Sequence, residues 1–392
     1  MEVKTMTALD YCKFVTDGTH DSPKAKDDGF KLITSKHLKR YEIDFESANF
    51  ISEEDYKKVI ERSLVEQWDI LFSMIGTIGN LYIETNSNIN YACKNMGIFK
   101  LGGDEMKSKW LYYYLQFPKA LEYIEAASRG TTQGYVPLGA LRKMPVDVVD
   151  DTIRDKIVTF LWNLDEKIKT NIAINENLEQ QISSIYENLC ENKSWDSCEL
   201  GSLIEVRDGT HDSPKPQSDG YLLVTSKHLL PYGVDRVTPN RIAEKDFKKI
   251  NERSLVEPGD VLMSMIGTIG LISFVADQNI DYAIKNVALF KTSKTPELAY
   301  YFLTFLKSKK TQQYIEMCLA GSTQKYISLG ELRKMPIPDP DGETLKCFNE
   351  IVRPMYQAII LNTQENNAFA ELRDSLLPKL ISGELDISEI DI

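Results

Sequence analysis

The chain has 392 residues, 42% of them hydrophobic and 27% charged, with a formal net charge of −12 at pH 7. That length and apolar content suit two or three globular domains with substantial cores and exclude global disorder. No apolar run approaches the roughly 20 residues of a membrane-spanning helix, and Met1 to Asp10 is acidic and polar where a secretory signal would be apolar, so a soluble cytoplasmic protein with no membrane partner is expected.

In chain order, the first motif is the polar turn DGTHDSPK, Asp17 to Lys24. Gly18 supplies backbone freedom there, and Asp17, Thr19, His20, Ser22 and Lys24 offer donors and acceptors. Lys31 to Thr34 reads as a strand that runs into TSKHL, Thr34 to Leu38; Arg62 opens RSLVE, Arg62 to Glu66. Ile70 to Met74 and Asn80 to Ile83 read as strands on either side of the glycine turn in SMIGTIG, Ser73 to Gly79. Trp110 to Ala127 is rich in Leu, Tyr and Ala and broken only by Pro118, which predicts one or two helices. Thr131, Thr132 and Gln133 follow in a glycine-flanked loop, and Pro145 closes the domain.

A long helix is expected next. Leu161, Leu164, Ile168, Leu178, Ile182, Ile185 and Leu189 alternate in steps of four and three, a heptad seam interrupted only at Asn171 and Asn175.

Then the sequence begins again. Asp17 to Lys24 returns as Asp208 to Lys215, 191 positions on, and the same shift returns TSKHL at Thr225, RSLVE at Arg253, SMIGTIG at Ser264 and LRKMP at Leu332. Tyr91, Ala92, Lys94 and Asn95 return as Tyr282, Ala283, Lys285 and Asn286, and more than half of the positions from Val15 to Lys100 are identical between the copies. Units of this length are whole domains rather than solenoid repeats. The second copy ends at Pro336 and is followed by a looser seam, Ile351, Met355, Ile359, Phe369, Leu372 and Leu376, which Pro378 is expected to stop.

An amphipathic helix this long needs a partner for its seam, and the simplest partner is its duplicate. Antiparallel packing would bring the central asparagines together, with Asn362, Asn366 and Asn367 near the middle of the second helix, as a polar layer that fixes register. The competing arrangement has each helix packed only on its own domain. The fold class expected is α+β: two tandem homologous domains joined by two long helices packed as an antiparallel coiled coil, with a pseudo-twofold relation. The divisions are 1–150, 151–194, 195–340 and 341–392.

The order of parts resembles the specificity subunits of type I restriction-modification systems along essentially the whole chain. The resemblance extends to DGTH near the start of each domain, G-T-x-G at Gly76 to Gly79 and Gly267 to Gly270, and a G-[ST]-T-Q segment at Gly130 to Gln133 and Gly321 to Gln324. It ends with LLPKLISGE, Leu376 to Glu384. The resemblance implies two target recognition domains, each reading one half of a bipartite double-stranded DNA sequence. It also implies a helical spacer that docks two methyltransferase subunits and, through them, motor-nuclease subunits. The chain itself would be non-catalytic and hold no cofactor; S-adenosylmethionine is expected on the methyltransferase partners. Because the two domains share their polar loops, two similar half-sites in inverted orientation are expected.

On that reading the DNA-contact candidates are Asp17, Thr19, His20, Ser22, Lys24, Ser35, Lys36, His37, Arg62, Thr131, Thr132 and Gln133 in the first domain. Their counterparts are Asp208, Thr210, His211, Ser213, Lys215, Ser226, Lys227, His228, Arg253, Ser322, Thr323 and Gln324. Lys36 suits a phosphate as a point charge, and the glutamines could pair with adenine in bidentate fashion. Each has a structural alternative: Asp17 and Thr19 could bond their own backbone, RSLVE could be a strand entry, and SMIGTIG reads first as a turn with Met74 and Ile75 in the core. All four histidines lie in these motifs.

Other chemistries find less support. The chain has no consecutive prolines, hence no N-P-P-Y methyltransferase strand end, and no G-x-x-x-x-G-K-[ST] phosphate loop. Asp339, Glu343 and Lys346 imitate nuclease spacing only loosely and read as a hinge. The six cysteines show no metal or disulfide spacing, and no metal is expected, although Asp17, His20 and His37 could converge on zinc. The net acidity is unusual for a phosphate-binding protein and leaves a second reading, a non-enzymatic bivalent scaffold that binds proteins.

Overall fold

The computed structural model describes residues 2–130, 134–192, 195–321 and 325–387. It divides into two compact units, Met1–Lys169 with Asn366–Ile392, and Thr170–Glu365. Each unit therefore takes one copy of the repeat together with part of both long helices.

In unit 1 a four-stranded antiparallel sheet runs in the order Phe14–Asp17, Met96–Lys100, Ile70–Ser73, Leu81–Ile83. A second sheet has the order Phe50–Ile51, Phe30–Ile33, Tyr91–Cys93, its last pair parallel. Lys4–Thr7 pairs with Pro145–Val148 and ties the start of the repeat to its end. The unbroken apolar run at Ile70 to Phe72 has a cause in this layering, because a strand covered on both faces loses the in-out alternation. Ile70 and Phe72 face a core with Trp110 and Leu141, while Leu71 faces another with Ile33 and Cys93.

The stretch expected to form one or two helices forms two, Glu105–Tyr114 and Pro118–Ala127. Asp104 caps the first by accepting from the Lys107 N–H. Pro118 starts the second, where its missing N–H would have no helical partner anyway. Trp110 is fully buried and donates its Nε1–H to the Asp147 carbonyl at 2.9 Å.

Unit 2 repeats the plan. Its four-stranded sheet is Val206–Asp208, Val287–Phe290, Val261–Ser264, Ile272–Phe274, and its three-stranded sheet is Arg241–Ile242, Tyr221–Val224, Tyr282–Ile284. Ser197–Glu199 pairs with Pro336–Pro338, and a small hairpin, Leu229–Leu230 with Gly233–Val234, is added.

The long helices are Asp151–Asn192 and Gly342–Ser382, so Glu343 and Lys346 belong to a helical turn and not to a hinge. Their pairing inside unit 2 is antiparallel. Asn171 Nδ2 donates to Glu365 Oε2 at 2.7 Å, Asn362 Nδ2 to Asn175 Oδ1 at 2.8 Å, and the Tyr186 and Phe348 rings lie 6.3 Å apart. The asparagine layer expected from the sequence is thus present at Asn175 and Asn362. In unit 1, Ile157, Val158 and Leu161 share a core with Leu377, Leu380 and Ile381.

Two expectations for the second helix need correction. Its seam is only partly the one read from apolar spacing: Ile359 is buried and Met355 and Leu376 pack against the cores, but Ile351 and Leu372 are 52% and 42% exposed, and Phe348, Val352, Tyr356, Arg373, Leu377 and Leu380 are buried instead. Tyr356 and Arg373 put polar heads at seam positions, so hydrophobic spacing alone traces only part of the line. Nor does Pro378 stop the helix, which continues to Ser382. Burial of Leu377, Leu380 and Ile381 outweighs the roughly 3 kcal/mol that an internal proline costs.

Candidate nucleic-acid interface

The repeated polar motifs, scattered in sequence, are gathered by the two sheets of each unit. In unit 1 the strand Phe14–Asp17 delivers the DGTH turn, whose Thr19 N–H donates to the Cys93 carbonyl at 3.0 Å. Lys94 N–H donates to the Ile33 carbonyl at 2.8 Å, which brings the Lys94–Asn95 turn beside the start of TSKHL. Gly18 has to be glycine, since a Cβ would lie 2.3 Å from the Cys93 carbonyl oxygen; Gly209 stands equally close to the Ile284 oxygen.

At the centre is Asp17, its side chain 9% exposed. Arg62 Nη2 donates to Asp17 Oδ1 at 2.9 Å and touches the carbonyls of Asp17 and Gly18, while His20 Nε2 lies 2.9 Å from Oδ2. The other ring nitrogen of His20, Nδ1, lies 2.9 Å from Asn95 Oδ1. Asn95 itself is held in the left-handed region at φ 55, and Asn286 at φ 54. His20 and Arg62 remain 62% and 60% exposed in their side chains. Unit 2 reproduces the array: Arg253 to Asp208 Oδ1 at 2.5 Å, His211 Nε2 to Asp208 Oδ2 at 3.1 Å, and Nδ1 to Asn286 Oδ1 at 2.8 Å.

The surrounding candidates divide by accessibility. Lys24, Lys36, Lys215 and Lys227 are exposed. Lys94 Nζ donates to Ser22 Oγ at 2.5 Å, as Lys285 does to Ser213. Thr19 and Thr210 accept from the N–H of Asp21 and Asp212, at 3.1 and 3.0 Å, and so shape their own loops. Ser35 is half-buried, and Ser226 Oγ reaches the Asn286 carbonyl at 3.5 Å.

His37 and His228 are not surface contacts, contrary to the sequence expectation. They are 2% and 3% exposed, and Nδ1 of each accepts from the backbone N–H of Thr34 or Thr225, at 2.9 and 3.0 Å, capping a short 3-10 turn. Burial, helped by the neighbouring Lys36 or Lys227, holds both imidazoles below the usual histidine range. The zinc arrangement of Asp17, His20 and His37 therefore does not form, and no cluster of three or more His, Cys, Asp or Glu suited to a metal occurs among the described residues.

Thr131, Thr132, Gln133, Ser322, Thr323 and Gln324 lie outside the described residues. Their flanks are described: Arg129 and Tyr135 exchange backbone hydrogen bonds of 2.9 and 2.8 Å, and Val136 N–H donates to the Met74 carbonyl at 2.9 Å, beside the Gly76 turn. That turn is organised by Ser73, whose Oγ donates to the Thr77 carbonyl at 2.5 Å, and it leaves Gly76 and Thr77 exposed. In unit 2 the equivalent residues help form an open cleft of about 370 Å³, lined by Thr225, Ser226, Lys227, Ile266, Gly267, Thr268 and Asn286. Asn95 and Asn286 were not among the sequence candidates. Their signal is present, since the K-N pair recurs at the common shift, but recurrence alone does not assign it a role.

Two α+β units that each gather one set of matching polar loops, and each contain part of both long helices, define a duplicated two-unit protein. Residues 24–180 and 192–369 match the family described as Type I restriction modification DNA specificity domain, and the chain belongs to that family. It is similar over 96% of its length, at 25% identity and with 92% of the relative covered, to the type I restriction enzyme MjaIX specificity subunit of Methanocaldococcus jannaschii. It is also similar to the HindI specificity subunit of Haemophilus influenzae, at 19% identity over 83% of this chain and 88% of that one. The crystal structure of a type I restriction-modification S subunit from M. genitalium shares the fold, with a TM-score of 0.56 and 15% identity over 97% of this chain and 96% of that one. The resemblance read from the sequence is thereby borne out. No helix among the described residues is long and apolar enough to cross a membrane.

Proposed function

We propose that this specificity subunit reads a bipartite double-stranded DNA target, one half-site per unit, and that the two half-sites are similar and inverted. The observation that carries this reading is the duplicated array Arg62, Asp17, His20, Asn95 and Arg253, Asp208, His211, Asn286, whose hydrogen bonds agree to within a few tenths of an ångström. Matching loops present matching donors, so they select similar base edges. Lys24, Lys36 and their counterparts serve phosphate, which sets position and not sequence.

The chain supplies recognition and no bond-making group. Docked methyltransferase subunits would bring S-adenosylmethionine and flip out the target adenine, and motor-nuclease subunits would join through them. The long helices act as the spacer, so their length sets the gap between half-sites.

The test is DNA binding by this chain with its methyltransferase partner at two salt concentrations. Affinity that falls linearly on a log-log plot, with a slope of roughly −0.9 per phosphate contacted, supports the reading. Affinity independent of salt, or no preference for the methylated sequence over random duplex, contradicts it and favours the protein-binding scaffold.

A further inference from the structure

We propose that Asn95 and Asn286 are the residues that read a base in their respective heads, and that His20 and His211 are positioning residues which hold those amides. This rests on the proposed DNA-reading function and names the group that carries it out.

The argument begins with the histidines. His20 looks like a natural contact, because it is well exposed, but both of its ring nitrogens are engaged, one with Asp17 and one with Asn95. Asp17 is in turn fixed by Arg62. A side chain with neither nitrogen available has no polar atom to offer a base. What the chain Arg62, Asp17, His20 achieves is to grip one edge of the Asn95 amide from a rigid base.

The asparagine is left with the capacity to recognise. An amide oxygen has two lone pairs and the nitrogen two hydrogens. The contact with His20 involves Oδ1, and Nδ2 of Asn95 makes no hydrogen bond among the described residues; the same holds for Asn286. Asn286 lines the cleft together with Ser226, Lys227 and Thr268. A donor and an acceptor side by side on one amide complement N6 and N7 of adenine in the major groove.

Asparagine is also a residue that tolerates φ near +55, so a turn-forming role has to be separated from a reading role. Asn286→Gly makes the separation, since glycine keeps that backbone and removes only the amide.

The experiment uses the full chain assembled with its methyltransferase partner and offered a library of duplexes randomised in both half-sites; the methylated products are sequenced. The unaltered complex gives the two half-sites. Asn286→Gly is expected to reduce the preference for adenine at one position of one half-site by at least tenfold, with the other half-site unchanged. Asn286→Asp is expected to move that position toward cytosine, whose N4 donates to a carboxylate. His211→Ala should relax the same position partially, and add nothing in the Asn286→Gly background. If Asn286→Gly does not assemble, Asn95→Gly takes its place with the half-sites exchanged. An assembled glycine variant that keeps both half-sites intact, or methylates nothing, overturns the assignment and leaves the two-head function standing. A failure of the unaltered complex to yield two half-sites overturns the function itself.

Discussion

Arg373 and Asp165 form a buried ion pair between the two long helices within unit 1, with side chains 0% and 3% exposed. Neither carboxylate oxygen is left to the apolar surroundings alone: Tyr41 donates to Oδ1 at 2.9 Å and Tyr113 to Oδ2 at 2.6 Å, while Arg373 also bonds Tyr41 Oη at 2.6 Å. At the positions related by the repeat, unit 2 has Tyr232, Thr304, Tyr356 and Ile182. There Thr304 and Tyr356 share a 2.8 Å hydrogen bond, and Tyr232 and Lys307 meet Glu179. The copies keep their outer loops alike and lock their helices with different chemistry.

Arg373→Met is expected to destabilise unit 1 by about 3–5 kcal/mol, because Asp165 is left buried without its charge partner. Adding Asp165→Leu should recover most of the loss. Urea unfolding of the two variants checks both directions.

The asparagine layer in unit 2 behaves differently. Asn362→Ala removes the bond to Asn175 and is expected to cost about 1 kcal/mol, while replacing both asparagines with leucine should be neutral or stabilising at the expense of a fixed register. Thermal unfolding compares the single and double variants.

The pH dependence follows from His37 and His228. Their folded values are lowered by burial, so between the usual histidine value of about 6.5 and the lower folded value the unfolded chain takes up protons that the fold refuses. Stability from these groups is intact above that window and falls as pH drops through it. The drop in unfolding midpoint between pH 7.5 and 5.5 should be smaller in His37→Gln with His228→Gln.

Gly209→Ala should disable one head only. Its Cβ would meet the backbone oxygen of Ile284 at 2.3 Å, and a backbone atom cannot swing aside as a side chain can. Binding to a duplex carrying both half-sites is expected to weaken at least tenfold, about 1.4 kcal/mol, and binding to the remaining half-site should be unaffected.

Much of this was legible in the sequence because duplication marks what is kept: DGTH, TSKHL and the glycine turn stand out by their common shift, and they meet in space. What stayed hidden has physical causes. His37 sits in a polar repeated motif and looks exposed, yet its task is to accept one backbone N–H from inside the fold. Asp165 and Arg373 occupy seam positions that a search for apolar periodicity passes over. Asn95 contributes through a backbone conformation and a contact 75 residues away, neither of which periodicity can show.

The most direct measurement is the methylated sequence produced by the complex of this chain with its methyltransferase partner, determined base by base on a genome or plasmid library. Two similar half-sites in inverted orientation, separated by a fixed gap, are the expected result. Two unrelated half-sites would contradict the matched reading heads, and a single uninterrupted site would contradict a two-headed subunit altogether.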